Sequence, residues 1–272
     1  MMQGKRVLTE EDFAEVSNAL KKRHKPVPAP VSWAFVVVMV LLAAFLVGLG
    51  VWQLERLGQK EALITAVDDR LTLSPTPLPP VGEWDSFDAE VFNFRPVSLT
   101  GSFVPANSVL VFTSMADTRG PYEGPGFWVV TPFALETGGT VLVNRGFVPQ
   151  GAGPQFLGPE GDASLPQGTV TLTGLARITE ATNTFTPGPD LAKRVEYVRN
   201  IDRLAVMMDK GLAPFAPVYV DQDAGVAGDL PQGGETVISF PNSHFQYAMT
   251  WFLLAAITLM MTGMWLWRQR AR

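Results

Sequence analysis

Cysteine is absent from the 272 residues, and histidine occurs only at His24 and His244. The first absence excludes disulfides, thiolate nucleophiles, zinc–thiolate sites and cysteine-based copper handling. The second leaves too few imidazoles for a multi-histidine metal centre. A formal net charge of −5 argues against nucleic acid as the main partner. Charge is missing altogether from two long stretches, Val27 to Leu54 and Phe245 to Trp267. The second stretch, 23 residues long, reaches about 34 Å as an α-helix, enough to cross a bilayer core of about 30 Å.

The charges that are present set a topology. Lys5, Arg6, Lys21, Lys22, Arg23 and Lys25 precede the first apolar stretch, and Arg268, Arg270 and Arg272 follow the second. The region between holds 22 of the 26 acidic residues. By the positive-inside rule both termini are cytoplasmic and the middle lies on the outer face. The expected division is a cytoplasmic segment 1–30, a transmembrane helix 31–53, an extracytoplasmic domain 54–243, a second transmembrane helix 244–267 and a cytoplasmic tail 268–272. Trp33 and Trp52 bracket the first span as interface anchors. A cleaved signal peptide fits poorly, because the basic region before it and the apolar run are both too long.

Within residues 1–25, Thr9 and Asp12 have capping-box spacing ahead of Phe13, Val16 and Leu20, which suggests a short amphipathic helix. His24 belongs to the basic cluster and reads as solvated. Beyond the first span the apolar spacing continues through Leu57, Leu63, Ile64 and Val67, so the helix is expected to project past the membrane. The proline-rich run Leu73–Pro80 then stops it.

Strand patterns follow at 95–103, 108–113, 126–135, 140–148, 169–177 and 217–221, with Glu136-Thr137-Gly138-Gly139 as a hairpin turn. A helix is expected within 196–210, with Asp202 as a possible cap. The resulting fold class is two transmembrane α-helices flanking a β-rich α+β extracytoplasmic domain, a small antiparallel sheet or partly closed barrel.

Two spans running in opposite directions bring the Trp52-Gln53 exit and the His244 entry to the same membrane face. Ser243 and Gln246 have capping-box spacing, which puts His244 in the first helical turn. There the macrodipole and partial burial favour the uncharged imidazole. Such a ring can ligate haem iron through one nitrogen while the other donates a hydrogen bond. Phe245, Tyr247, Trp251, Phe252 and Trp52 offer an apolar wall, and Arg56 and Lys60 offer cations for propionates. A helix-capping or tethering histidine is the simpler alternative.

Elsewhere the signals are bland. Asp68-Asp69, and Asp221 with Asp223, read as solvated loop acids without a calcium-loop pattern. Met260, Met261 and Met264 read as packing or lipid-facing residues. No Ser/His/acid set is evident, so an enzyme is not expected. Arg145 reads as a structural pair or a partner contact.

Several segments together resemble the surfeit locus protein 1 family. They are Gly50-Val51-Trp52-Gln53-Leu54-Glu55-Arg56 with Lys60, Arg95-Pro96-Val97 with Thr100-Gly101, Gly126 to Pro132 (GFWVVTP), Val143 to Pro149 (VNRGFVP), and Asn242-x-His244-x-x-Tyr247-Ala248-x-Thr250-Trp251-Phe252. Members are cytochrome c oxidase assembly factors, and the resemblance covers about residues 35–267. It implies an inner-membrane role in maturing the haem–copper oxidase, with haem a as cofactor and the histidine before the second span, here His244, as iron ligand. Trp52, Arg56, Lys60, Tyr247 and Trp251 complete the expected haem pocket, and Arg145 and Trp128 are the expected partner contacts. The expected partners are oxidase subunit I, its assembly intermediates and the haem a synthesis enzymes, in a bacterial inner membrane with a periplasmic central domain. The rival expectation is a cofactor-free scaffold that stabilises nascent subunit I. A membrane sensor is disfavoured, because 30 residues are too few for an output module.

Overall fold

The computed structural model describes residues 10, 11, 13–15, 17, 32–236, 238 and 240–270. Thr9, Asp12, Val16, Leu20 and His24, on which the N-terminal reading rests, lie outside the described residues; Glu10, Glu11, Phe13, Ala14, Glu15 and Ser17 are helical and exposed. The chain divides into two compact units, one holding the residues up to Glu61 together with those from Pro241, the other Ala62–Phe240.

The first unit is a helix pair. Helix α1 runs Trp33–Leu71, 39 residues, and continues into the second unit; helix α2 runs His244–Arg270, 27 residues. At 1.5 Å per residue these are about 58 Å and 40 Å long, more than a bilayer core requires. Both are apolar enough to cross a membrane, and most of their large side chains are exposed, as lipid-facing surfaces are.

The less exposed residues of α1 within this unit include Val36, Met39, Ala43, Leu46, Gly50, Gln53, Leu57 and Lys60, with gaps alternating between three and four, and Leu49 beside Gly50. In α2 the same alternation runs through His244, Ala248, Trp251, Ala255, Thr258, Thr262, Trp265 and Gln269. This is the heptad seam of a left-handed helix pair. Small residues hold the approach close: Ala43, Ala248 and Ala255 are 3% exposed or less, and a Cβ on Gly50 would come within 2.5 Å of the Phe252 ring. Phe35 and Trp265 stack at 5.0 Å.

In the second unit eight strands form one sheet: β1 Thr76–Pro77, β2 Pro96–Phe103, β3 Val109–Met115, β4 Gly124–Leu135, β5 Thr140–Pro149, β6 Val170–Ile178, β7 Val195–Glu196 and β8 Phe215–Gln222. Five of them close a barrel in the order β2-β6-β8-β5-β4, because β4 also pairs back onto β2 through Gly101↔Leu135 and Phe103↔Phe133. Closure removes the open edges of those strands. Gly101 makes it possible: a Cβ there would lie 2.0 Å from the carbonyl oxygen of Ala134. A register shift between Trp128 and Val130 marks a bulge in β4, which bends the strand.

The pairing is not purely antiparallel, as the sequence suggests. β5 and β8 run parallel, as do β1 with β2 and β3 with β7. More than sixty residues separate β5 from β8, so no short turn forces them to oppose. The 136–139 hairpin joins β4 to β5 as expected. The helix expected within 196–210 is shorter, Ile201–Ala205; its cap is the side chain of Asn200, and Asp202 sits in the first turn.

Three apolar clusters follow from the burial pattern, one of them joining Leu110, Phe127, Val129, Val148 and Phe156. Inside the barrel, Val97, Leu99, Phe103, Phe133, Val141, Val143, Leu172, Val218 and Val220 pack together. On the other face of the β4–β5 wall, Val111, Trp128, Val130, Leu142, Phe147 and Tyr219 pack under Ile201, Leu204, Met207 and Met208. This second layer explains why β4 and β5 are buried almost continuously, and why their sequences read as unbroken apolar runs.

Candidate functional site

At the end of the seam where α2 begins, the two helices meet through polar groups. His244 is the first residue of α2, and its Nδ1 lies 2.7 Å from the side-chain oxygen of Gln53 on α1. Both residues occupy seam positions, which is why their side chains converge. The side chain that takes the first backbone amide of α2 is that of Asn242, which accepts from the His244 N–H at 3.4 Å. Ser243 contributes its backbone carbonyl to the Tyr247 N–H at 3.2 Å.

Around this pair, Trp52 is half exposed and carries the Arg56 guanidinium over its ring at 6.0 Å, and Arg56 also donates to the Gln59 side chain at 2.9 Å. Tyr247 and Phe245 are more than half exposed, while Trp251 and Lys60 are partly buried at seam positions. Phe252 is not part of an open wall: its ring fills the space above Gly50.

This end of the helix pair fits a haem in three respects. A carboxamide oxygen faces Nδ1, a contact that the tautomer with its proton on Nδ1 satisfies, and that tautomer has its lone pair on Nε2, where a metal could bind. Exposed aromatic residues adjoin the pair in the chain, Trp52 next to Gln53 and Phe245 and Tyr247 in the first turn with His244. Arg56 supplies a cation one turn from Gln53 without a carboxylate in ion-pair contact among the described residues. Among those residues there is no group of three or more His, Cys, Asp or Glu that could hold a bare metal ion.

Trp128 and Arg145, expected at a partner-facing surface, are 6% and 8% exposed and lie inside the β-domain. The second apolar layer covers Trp128, which stacks edge-on with Phe147 at 6.1 Å. Arg145 donates to the Ser164 hydroxyl at 3.0 Å and lies over Phe103 at 5.7 Å. Burial pulls its pKa down to about 10, against the attraction of Asp162.

The β-domain also contains a charged network that the sequence reading missed. Asp221, read as a solvated loop acid, is a β8 residue only 3% exposed. Its carboxylate accepts from Asn144 at 2.8 Å, Thr236 at 3.0 Å, Arg177 at 3.2 Å and Arg199 at 3.4 Å. Arg199 also pairs with Glu180 at 2.6 Å and lies over both Trp128 and Tyr219. Burial works against the Arg199 charge, but Asp221, Tyr219 and Glu180 outweigh it and raise the pKa. Burial first, then Asp221, pushes the Tyr219 phenol above its usual range. The carboxylates of this network are paired and fix backbone positions, while the Tyr219 hydroxyl and Arg177 Nε are buried without a hydrogen-bond partner among the described residues. The one signal in the sequence was placement: Asp221 ends the apolar run Pro217-Val218-Tyr219-Val220. For Gln53 the signal was its spacing from Gly50 and Leu57.

Comparison with known proteins agrees with this architecture. Residues 40–256 match the model of the SURF1 family. The chain is 33% identical over 250 residues to a SURF1-like protein of Monosiga brevicollis, covering 88% of this chain and 87% of that one. It is 31% identical over 235 residues to Surfeit locus protein 1 of Homo sapiens, covering 81% and 74%. Against Surfeit locus protein 1 of Xenopus tropicalis it is 30% identical over 266 residues, covering 93% and 80%. With two apolar helices flanking a closed β-barrel domain, and a match across most of its length, the chain belongs to the SURF1 family.

Proposed function

We propose that this protein is a membrane-anchored assembly factor for the haem–copper cytochrome c oxidase, and that it holds haem a at the outer end of its helix pair for delivery to subunit I. Membership of the SURF1 family implies the role in oxidase assembly. The observation that carries the cofactor reading is the 2.7 Å contact between His244 Nδ1 and Gln53. It holds the imidazole by one nitrogen at the end of an apolar seam, which leaves the other nitrogen for a ligand.

In this reading His244 supplies an axial nitrogen, Gln53 holds the ring, and Trp52, Tyr247 and Trp251 exclude water from the macrocycle face. Arg56 and Lys60 neutralise its propionates. When bound, haem a supplies no chemistry here; it is cargo. A single protein nitrogen on iron suits release to a partner. The protein is then a carrier and not an enzyme. In this reading both termini are cytoplasmic, as the basic flanks favour, and the β-domain faces the periplasm of a bacterial cell, beside the nascent oxidase subunit.

The test is coexpression with the haem a synthesis enzymes, purification, and an absorption spectrum. Wild type should carry haem a, and His244→Ala should lose most of it. Oxidase assembly that survives in His244→Ala, with no haem on either protein, would favour the cofactor-free scaffold.

A further inference from the structure

The charged network of the β-domain grips the chain that leads into α2. Asp221 accepts from the Thr236 hydroxyl at 3.0 Å and from Arg177 at 3.2 Å. Arg177 lies 4.2 Å over the Phe94 ring, and Phe94 meets Phe240 edge-on at 5.9 Å. One carboxylate therefore holds the strap 236–240 at both ends, directly at Thr236 and through Arg177 and Phe94 at Phe240. The chain before the strap is pinned as well. The Glu235 carboxylate accepts the backbone N–H groups of Arg119 and Gly120 at 2.8 and 2.6 Å, and the Gln232 backbone exchanges two hydrogen bonds with Phe147, each 2.8 Å.

Phe94 is held in a strained conformation. Its backbone is left-handed, with φ of 64°, which a bulky residue adopts only where its surroundings impose it. Its N–H donates to the Ala176 carbonyl at 2.8 Å, the next carbonyl, of Arg95, accepts from the Ala176 N–H at 2.9 Å, and the residue is buried. The turn before it holds the end of α1: Arg70, in the last turn of that helix, donates to the carbonyls of Glu90 and Asn93 at 3.1 and 3.0 Å.

Only Pro241, Asn242 and Ser243 separate Phe240 from His244, the first residue of α2, and α1 runs unbroken from Gln53 to Leu71. The two side chains that meet at 2.7 Å are thus each joined, by a short tether or by a helix, to residues held at 90–95. A hydrogen bond of that length does not survive a slip of about 1 Å. Building on the reading of the His244–Gln53 pair as the haem site, we propose that Phe94 and Phe240, locked by Arg177 and Asp221, are positioning residues for His244. They fix where α2 begins and so keep the imidazole on Gln53.

The experiment uses the full-length protein, carrying isotopically labelled histidine, in detergent micelles at about pH 8, where a free imidazole is neutral. Long-range proton–nitrogen spectra report which ring nitrogen bears the proton, and His24→Gln assigns the two histidines. Wild type should show His244 mainly protonated on Nδ1, the form that the Gln53 oxygen satisfies, whereas a ring facing water prefers Nε2. Phe240 is half-buried and outside the barrel core. Phe240→Ala should move His244 mostly to the Nε2-protonated form, Phe94→Ala should do the same, and Phe240→Tyr should keep the wild-type spectrum. Leu172→Ala is the contrast: it empties a buried barrel position and lowers the thermal midpoint, yet should leave the His244 spectrum unchanged. In protein from a haem a-producing host, Phe240→Ala should carry about tenfold less haem a than wild type. A wild-type His244 spectrum in Phe240→Ala would overturn the proposal, as would an equal change in Leu172→Ala or a wild-type ring already protonated on Nε2. The tautomer shift in Phe240→Ala, found in a protein whose wild type carries no haem, would uphold the positioning role and remove the haem reading alone.

Discussion

His244 and Gln53 stand 191 positions apart in the chain, yet the imidazole Nδ1 and the carboxamide oxygen lie 2.7 Å apart across the helix seam. A ring held at Nδ1 in this way has Nε2 as its other nitrogen for a ligand. Replacing Gln53 by Leu keeps the side-chain bulk and removes the acceptor. Haem occupancy of the purified Gln53→Leu protein is expected to fall about tenfold, in line with the usual effect of losing a partner that orients a metal-binding histidine. Gln53→Glu keeps an acceptor and should retain most of the occupancy. Occupancy is read from the Soret absorbance per protein.

Gly50 sets how closely the two long helices approach. A Cβ there would lie 2.5 Å from the Phe252 ring. Gly50→Leu should therefore separate the helices near the His244 end and lower the thermal midpoint of the detergent-solubilised protein, at a cost of about 1–3 kcal/mol. Gly50→Leu combined with Phe252→Ala should recover part of that loss, since the second change makes room. Melting curves of the two single variants and the double variant measure the recovery.

Gly101 closes the barrel between β2 and β4, and its neighbour is a backbone carbonyl that cannot swing aside. Gly101→Ala should cost more than Gly50→Ala, because the ring facing Gly50 can turn and the Ala134 backbone cannot. Far-ultraviolet dichroism against denaturant should show a loss of at least about 3 kcal/mol, beyond ordinary overpacking.

Asp221 holds two buried arginines. Asp221→Asn keeps the shape but leaves Arg177 and Arg199 with Glu180 as their one remaining acid among the ion pairs of the described residues. Breaking a buried pair in this way typically costs about 3–5 kcal/mol. Asp223→Asn is the contrast: that carboxylate accepts from the exposed Thr173 hydroxyl, and its loss should cost less than about 1 kcal/mol. Equal effects of the two changes in a denaturant titration would mean that Asp221 is not the keystone of the network.

Much of the architecture could be read from residue patterns. Uncharged runs marked both long helices, and alternation or β-rich apolar runs marked six of the eight strands, because half-buried and fully buried strands leave these signals. The continuation of α1 beyond Trp52 was legible in Leu57, Leu63, Ile64 and Val67; the structure carries the helix to Leu71. Closure of the barrel was not legible, since it depends on Gly101 meeting Ala134 across distant strands. Nor was the parallel pairing of β5 with β8, which no local turn dictates. Asp221 was misread because an aspartate beside a glycine-rich loop usually faces water. Its partners Arg177 and Arg199 lie 44 and 22 residues away, and only the fold brings them to it. Trp128 and Arg145 were read as contact residues, and the layer formed by residues 201–208 and the 159–164 segment covers them instead.

The central claim concerns one nitrogen on one ring. The most direct measurement is the absorption spectrum of protein purified from a haem a-producing host, wild type beside His244→Ala, at equal protein concentration. The account predicts a haem a Soret band in the wild type and its near-complete loss in the variant, with helix content unchanged. A full band in His244→Ala would contradict it.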